Sequence, residues 1–102
     1  MITEIAQLQV RPELTVEFET AFNTAQAIIS SMPGYLGHAL QRCIEQPSHY
    51  MLLVRWESVT HHEVGFRQSE QYQEWRQLLH HFYDPFPTVL HYELATGPGF
   101  HD

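Results

Sequence analysis

The side chains best suited to proton transfer in this sequence are its histidines, eight of 102 residues. Imidazole titrates near neutrality, so a histidine beside a ligand can take up or release a proton at physiological pH. Two adjacent pairs, His61–His62 and His80–His81, also raise the question of a metal site. Neighbours on a helix point about 100° apart, and no zinc-binding motif accompanies either pair. We therefore expect no metal.

Cys43, the single cysteine, is the other reactive side chain to consider. A lone cysteine cannot form an intrachain disulfide, which fits a reducing compartment. A catalytic thiolate needs a nearby cation. The adjacent Arg42 points to the opposite face of the predicted strand, so we expect Cys43 to be a small buried residue rather than a nucleophile.

Composition narrows the classes of protein further. The five basic residues are all arginine and face 12 acidic ones, a formal net charge of −7, which argues against a nucleic-acid partner. The longest apolar run, Tyr50–Val54, has five residues and is too short to cross a membrane. The first ten residues lack the pattern of a signal peptide. We expect a cytoplasmic protein.

Hydrophobic periodicity predicts the elements that must position any site. The helix that begins at Glu13 has an apolar stripe of residues three and four apart, and it ends in a Ser-Ser-Met-Pro-Gly segment. A second helical region is broken in two, with N-cap residues at Ser58 and Ser69 and ends at about Phe66 and Phe82. The predicted strands are Ile2–Val10, Tyr35–Ile44, His49–Trp56 and Thr88–Ala95.

The resulting order, β-α-β-β-α-β, predicts a ferredoxin-like α+β fold with a four-stranded antiparallel sheet and helices on one face. The third strand is apolar on both sides, so the open face of the sheet also needs a cover. A second copy of the chain is the simplest cover for this face, and we therefore expect a homodimer that forms through it. One domain is expected over residues 1–95, followed by a tail, 96–102.

Five segments together resemble the antibiotic biosynthesis monooxygenase family over about residues 1–95. They are Met-Pro-Gly-Tyr-Leu-Gly at Met32–Gly37, Trp-Glu-Ser at Trp56–Ser58, Phe-Arg-Gln-Ser at Phe66–Ser69, Trp75 on the last helix, and His-Tyr-Glu at His91–Glu93. The resemblance implies a dimeric α/β barrel with a pocket between sheet and helices. It also implies oxidation of a small hydroxylated aromatic or quinol by O2 without a cofactor.

The resemblance also suggests residue roles. Trp56 and Arg76 match pocket residues of the polyketide-oxidising members, whereas Leu52 and His62 replace an asparagine and a tyrosine of those proteins. Arg76 would stabilise a phenolate, and His62 or His38 would accept its proton. Catalytic candidates are thus Arg76, His62 and Trp56, and substrate-contacting candidates are Leu52, Phe66, Tyr72, Trp75 and His38.

Other interpretations remain open from the sequence. The tryptophans can be ordinary core residues, Arg76 can pair with acids on its own helix, and His62 can lie on a helix surface. The haem-degrading branch of the family matches less well, because Trp75 or Arg76 occupies the position of its iron-ligating histidine. An isomerase-type enzyme and a non-enzymatic small-ligand binding dimer are the alternative functions on the same scaffold.

Overall fold

Four antiparallel strands and two α-helices form the fold of residues 1–100. The structure is a computed structural model and describes residues 1–100. The strands lie in the order β2-β3-β1-β4, with each neighbouring pair antiparallel. Helix α1 connects β1 to β2, and helix α2 lies between β3 and β4, so the predicted ferredoxin-like α+β fold is confirmed. The bounds are β1 Ile2–Gln9, α1 Thr15–Ser30, β2 Tyr35–Arg42, β3 His49–Trp56, α2 Glu70–Leu79 and β4 Val89–Tyr92.

The core lies between one face of the sheet and the two helices. The predicted apolar stripe of α1 is buried there at Phe18, Phe22, Ala25 and Ile29. Strand β3 contributes every second residue to the same core: Tyr50, Leu52, Val54 and Trp56. These periods of about four and of two residues are those expected when a helix and a strand each bury one face.

The second helical region is broken where the sequence predicted it. Its first part contains a π-helical turn, His61–Phe66, in which the backbone N–H of Arg67 donates to the carbonyl of His62, 2.9 Å away. Ser58 Oγ accepts from the backbone N–H of His61 at 3.2 Å, as an N-cap residue does. A π-helical turn rotates the side chains that follow it relative to an α-helix, and such turns are frequent at functional sites.

Several predicted element ends are wrong by a few residues. Strand β4 stops at Tyr92 rather than Ala95, because Tyr92 pairs with Thr3 and β1 begins only one residue earlier. Strand β2 stops at Arg42 because the chain then turns towards β3. Helix α2 ends at Leu79, and a 3-10 turn continues to Phe82. Of the predicted tail, residues 96–100 lie outside any helix or strand, and residues 101–102 lie outside the described residues.

Gly34 allows the chain to turn between α1 and β2. Its φ of +83° lies in the left-handed region, and a Cβ at this position would come within 2.3 Å of the His61 ring. A side chain would therefore be strained and would also displace the start of the π-helical turn. The carbonyl of Gly34 accepts from the backbone N–H of Glu57 at 2.8 Å, which holds this turn to the end of β3.

No helix or strand within residues 1–100 covers the face of the sheet opposite the helices. Strand pairing places Ala39, Leu53, Ile5 and Leu90 in one row across this face. Leu90 is about half exposed. Within residues 1–100, no helix is long and apolar enough to span a membrane.

The N-cap of α2 generates a stability prediction. Ser69 Oγ accepts from the backbone N–H of Tyr72 at 3.1 Å and donates to the carbonyl of Phe66 at 2.6 Å. We expect Ser69→Ala to lower the free energy of unfolding by about 1 kcal/mol in urea titrations. Ser30→Ala, an exposed serine in the last turn of α1, should cost less than about 0.5 kcal/mol. Equal losses in the two variants would contradict the capping role.

Candidate active site

A carboxyl group buried in the apolar core is the most unusual feature of the molecule. Glu4 lies on β1 between Ile2 and Ala6, on the face that packs against the helices, and is only 6% exposed. An ionised carboxylate is costly in such surroundings unless it is hydrogen-bonded or paired. Neighbouring side chains must therefore stabilise the Glu4 carboxyl group in the core.

Two side chains on other elements bind the Glu4 carboxyl. Trp56 Nε1–H, at the end of β3, donates to Glu4 Oε1 at 2.9 Å. His62 Nε2, in the π-helical turn, lies 3.3 Å from the same oxygen. The His62 ring also stacks on the Trp56 indole, with ring centroids 5.6 Å apart and planes tilted by 23°. Both partners are buried, so three elements converge on one carboxyl group.

The surroundings shift the acidities of this pair in opposite directions. Burial raises the pKa of Glu4 from 4.5 to about 7, opposed in part by the Trp56 hydrogen bond and by the positive charge of Arg67. Burial lowers the pKa of His62 from 6.5 to about 4, reinforced by His91 and Arg67. At neutral pH, His62 is therefore uncharged, while Glu4 is divided between its acid and its base form.

A cavity of about 40 Å³ lies against Glu4 and His62. Its walls are mostly aromatic and aliphatic side chains, and they include Phe22, Leu52, Phe66, Trp75 and Leu79. This volume accommodates O2 or a few water molecules, whereas sites for drug-sized ligands occupy roughly 300–1,000 Å³. A ring system can enter only if part of the wall moves.

Phe86, which is exposed, and His80, which is half-buried, line the mouth of the cavity. The Phe86 ring packs on His80 with centroids 5.1 Å apart and is 56% exposed, so little holds it. His80 Nε2 lies 3.5 Å from the Tyr72 hydroxyl. Burial, and then the positive charges of Arg76 and Arg67, lower the pKa of His80 to about 4. The mouth of the cavity therefore has polar groups but no histidine cation at neutral pH.

Arg67 is the cation at the cavity. It follows the π-helical turn, lines the cavity, and places its guanidinium carbon 5.8 Å from the centre of the Tyr72 ring. Tyr83 also lines the cavity, and its phenol pKa is raised first by burial and then by Tyr72 and Glu4. A positive charge beside an apolar pocket favours the anionic form of a bound acid.

Five of the eight residues that the sequence suggested for the site line this cavity: Leu52, His62, Phe66, Tyr72 and Trp75. Trp56 does not line it but lies directly behind, bonded to Glu4. Arg76 is exposed on α2 and is absent from the cavity wall. His38 also lies elsewhere, between the Tyr35 hydroxyl and Gln26 Oε1, and partial burial lowers its pKa.

Sequence reasoning missed five polar groups of the cavity and its surroundings: Glu4, Arg67, His80, Tyr83 and His91. Glu4 had a readable signal, because it falls on the face of β1 whose other members are apolar. Arg67 was noted only as part of the family segment Phe66–Ser69, because a π-helical turn, which sequence periodicity does not reveal, determines where it lies. His91 was noted only as part of a family motif, and its position depends on the pairing of β4 directly beside Glu4.

Comparison with known proteins shows the family to which this fold belongs. The model of the antibiotic biosynthesis monooxygenase family matches residues 1–78. The chain belongs to this family. The match ends before His80, Tyr83 and His91, so the mouth of the cavity and β4 lie beyond it.

Individual relatives have the same extent as this chain. The uncharacterized protein YczJ of Bacillus subtilis (strain 168) is 50% identical over 93 residues, 91% of this chain and 98% of YczJ. A Bordetella bronchiseptica protein, provisionally assigned as an antibiotic biosynthesis monooxygenase, is 39% identical with a TM-score of 0.89, over 93% of this chain and 97% of that one. SnoaB of Streptomyces nogalater, a cofactor-independent oxygenase, shares the fold at 15% identity, with a TM-score of 0.83 and 95% of each chain covered.

The raised pKa of Glu4 makes a prediction about stability and pH. The folded chain holds this proton up to about pH 7, whereas an ordinary glutamate releases it near pH 4.5. The protonated carboxyl therefore contributes fully below pH 4.5, and its contribution is lost as pH rises through 7. From pH 4 to pH 8, we expect the wild type to lose about 3 kcal/mol of unfolding free energy relative to Glu4→Gln.

Urea unfolding of both proteins across this pH range measures the difference. His62 and His80 are common to both proteins, and their lowered pKa values act in the opposite direction, since their contribution is lost as pH falls through about 4. Glu74→Gln, at an exposed glutamate of α2, is the matched control and should follow the wild type. Parallel curves for the wild type and Glu4→Gln would contradict a raised pKa.

Proposed function

We propose that the protein is a cofactor-independent monooxygenase that oxidises a small hydroxylated aromatic or quinol with O2. One observation carries this proposal: a carboxyl group with a pKa of about 7 lies buried beside an aromatic-lined cavity. A base is most effective when its pKa lies near the working pH. Membership of the family and the shared fold with SnoaB support the same chemistry.

The first step is removal of the phenolic proton. A hydroxyarene gives electrons to O2 far more readily as a phenolate, so deprotonation activates the substrate itself. Glu4 accepts this proton, while Trp56 and His62 fix its carboxyl group. Arg67, at the same cavity, stabilises the phenolate by its positive charge.

The oxidation then balances without a further reagent. One oxygen atom of O2 forms a bond to a ring carbon and becomes a quinone carbonyl. The other leaves as water with two hydrogens from the substrate, one from the hydroxyl and one from that ring carbon. The substrate loses four electrons and O2 gains them. The apolar walls formed by Leu52, Phe66 and Trp75 hold the ring and keep bulk water away.

The size of the cavity restricts the substrate. Its volume of about 40 Å³ must grow to admit a ring, and the exposed Phe86 and the half-buried His80 are wall residues that can move outward. One or two fused rings suit this opening better than a large polycycle. Tyr72, which lies next to His80, would contact the ring near the mouth.

Oxygen consumption with a panel of dihydroxynaphthalenes and quinols tests the proposal. We expect saturable uptake by the wild type and a fall in kcat of about 100-fold or more in Glu4→Gln. Glu74→Gln is the control for the loss of one acidic group. Arg67→Ala should lose more activity than Arg76→Ala, because only Arg67 lines the cavity. Uptake no faster than the spontaneous rate for every compound would sink the oxygenase proposal.

An isomerase is the second candidate, and the Glu4–His62 pair favours it. A carboxyl and an imidazole 3.3 Å apart can remove a proton from one atom of a ligand and return it to another. Such a reaction needs no O2. Conversion of a compound under anaerobic conditions would therefore favour the isomerase, and tight binding without turnover would favour a non-enzymatic binding protein.

We also propose that two copies pair through the open face of the sheet. The row Ala39, Leu53, Ile5 and Leu90 gives this face an apolar centre, with Met51 beside it. Apolar sheet faces of this kind are usually covered in soluble proteins. The family resemblance points to the same arrangement.

A charge at the centre of that face tests the dimer. Leu53→Glu places two carboxylates near the centre of the proposed interface, so light scattering should report about twice the chain mass for the wild type and a monomer for the variant. Val64→Glu, at an exposed position on the π-helical turn, is the control and should remain dimeric. A wild-type protein that is monomeric at all concentrations would overturn the arrangement.

A further inference from the structure

The second ring nitrogen of His62 leads away from the cavity towards solvent. His62 Nδ1 lies 2.8 Å from His91 Nε2, on the edge strand β4. The other ring nitrogen of His91 lies 4.0 Å from Glu63 Oε1. Side-chain exposure increases along this line, from 4% at His62 to 17% at His91 and 55% at Glu63.

We propose that His62 and His91 form a proton relay that exchanges the proton of Glu4 with solvent at the β4 edge of the sheet. The inference rests on the proposed function, since it concerns how the base of that site is reset. The geometry carries it, because each imidazole uses one ring nitrogen inward and the other outward. Such an arrangement can pass a proton while each ring remains neutral.

The relay has two states that differ by one proton. With Glu4 ionised, His62 Nε2–H donates to Glu4 Oε1, and His91 Nε2–H donates to His62 Nδ1. A proton that reaches His91 Nδ1 from water moves each of these protons one step inward. Glu4 is then protonated and donates to His62 Nε2, while His62 Nδ1–H donates to His91 Nε2. Both imidazoles begin and end neutral, and every hydrogen bond has reversed.

The charged and titratable groups around the relay are consistent with this description. Arg67, after the π-helical turn, disfavours a positive charge on His62. Tyr83 faces Glu4 from the segment before β4, and its raised pKa keeps it uncharged. The exposed carboxyl group of Glu63 lies 4.0 Å from the outer ring nitrogen of His91. A neutral inner histidine and a negative outer group therefore suit proton passage by tautomer exchange.

The relay also explains how protons from solvent can reach Glu4 when a substrate occupies the cavity. A substrate that fills the cavity would cover Glu4 from the helix side. The path through His91 leaves instead at the β4 edge of the sheet, where the exposed Glu63 lies. Glu4 can then regain its resting protonation state while the cavity is occupied.

Nitrogen-15 NMR of the histidine rings tests the relay without any substrate. From about pH 8.5 to about pH 5.5, His62 should change from the Nε2–H to the Nδ1–H tautomer without becoming imidazolium. The midpoint should follow Glu4, near pH 7. In Glu4→Gln the change should disappear. A His62 ring that keeps one tautomer throughout the range in the wild type would overturn the relay.

Turnover provides a second measurement. His91→Phe removes the outer step, and we expect kcat for oxygen uptake to fall about tenfold, with partial recovery in imidazole buffer. His81→Phe, at an exposed histidine, should behave as the wild type. An unchanged kcat, or a loss of kcat that imidazole does not restore, would mean that His91 has only a structural role and does not transfer protons. If the wild type consumes no oxygen, the proposed oxygenase fails, and the NMR titration still decides the relay.

Discussion

The buried carboxyl group of Glu4 must be stabilised by neighbouring side chains, and the candidate site is built from those side chains. Glu4 lies in the middle of an apolar face, where an isolated charge would cost several kcal/mol. The indole N–H of Trp56 and the imidazole of His62 supply partners, and Arg67 lies close enough to lower the pKa in part. The stabilisation of the carboxylate by these partners is smaller than the free-energy cost of burying its charge. The Glu4 carboxyl group is therefore about half protonated near neutral pH. That compromise makes Glu4 both tolerable in the core and useful as a base.

The fold brings these partners together from distant parts of the chain. Strand β1 is central, so Glu4 has β3 on one side and β4 on the other, and His91 is its direct partner on β4. Trp56 ends β3, and the chain then enters the π-helical turn that returns His62 over the same spot. The site therefore depends on strand register. A one-residue slip between two strands would turn the side chains of the shifted strand to the opposite face of the sheet and destroy the site.

Periodicity was enough to predict the strands, the helices and their order, since each element buries one regular face. The family resemblance then suggested Leu52, Phe66, Tyr72 and Trp75 for the pocket, and these residues lie together because they share the core side of the sheet and helices. Periodicity could not select Arg67 over Arg76, because that choice depends on an irregular helical turn. The ends of β2 and β4 were wrong for a similar reason, since a strand ends where its partner does.

The titration of Glu4 itself tests the account most directly. Carbon-13 NMR of the glutamate side-chain carboxyl groups, with Glu4 assigned by its absence in Glu4→Gln, gives its pKa in the folded protein without any substrate. We expect a midpoint near 7, because burial outweighs the hydrogen bond from Trp56 and the charge of Arg67. A midpoint near the ordinary value of 4.5 would mean that the carboxylate is fully stabilised and is a structural ion rather than a base.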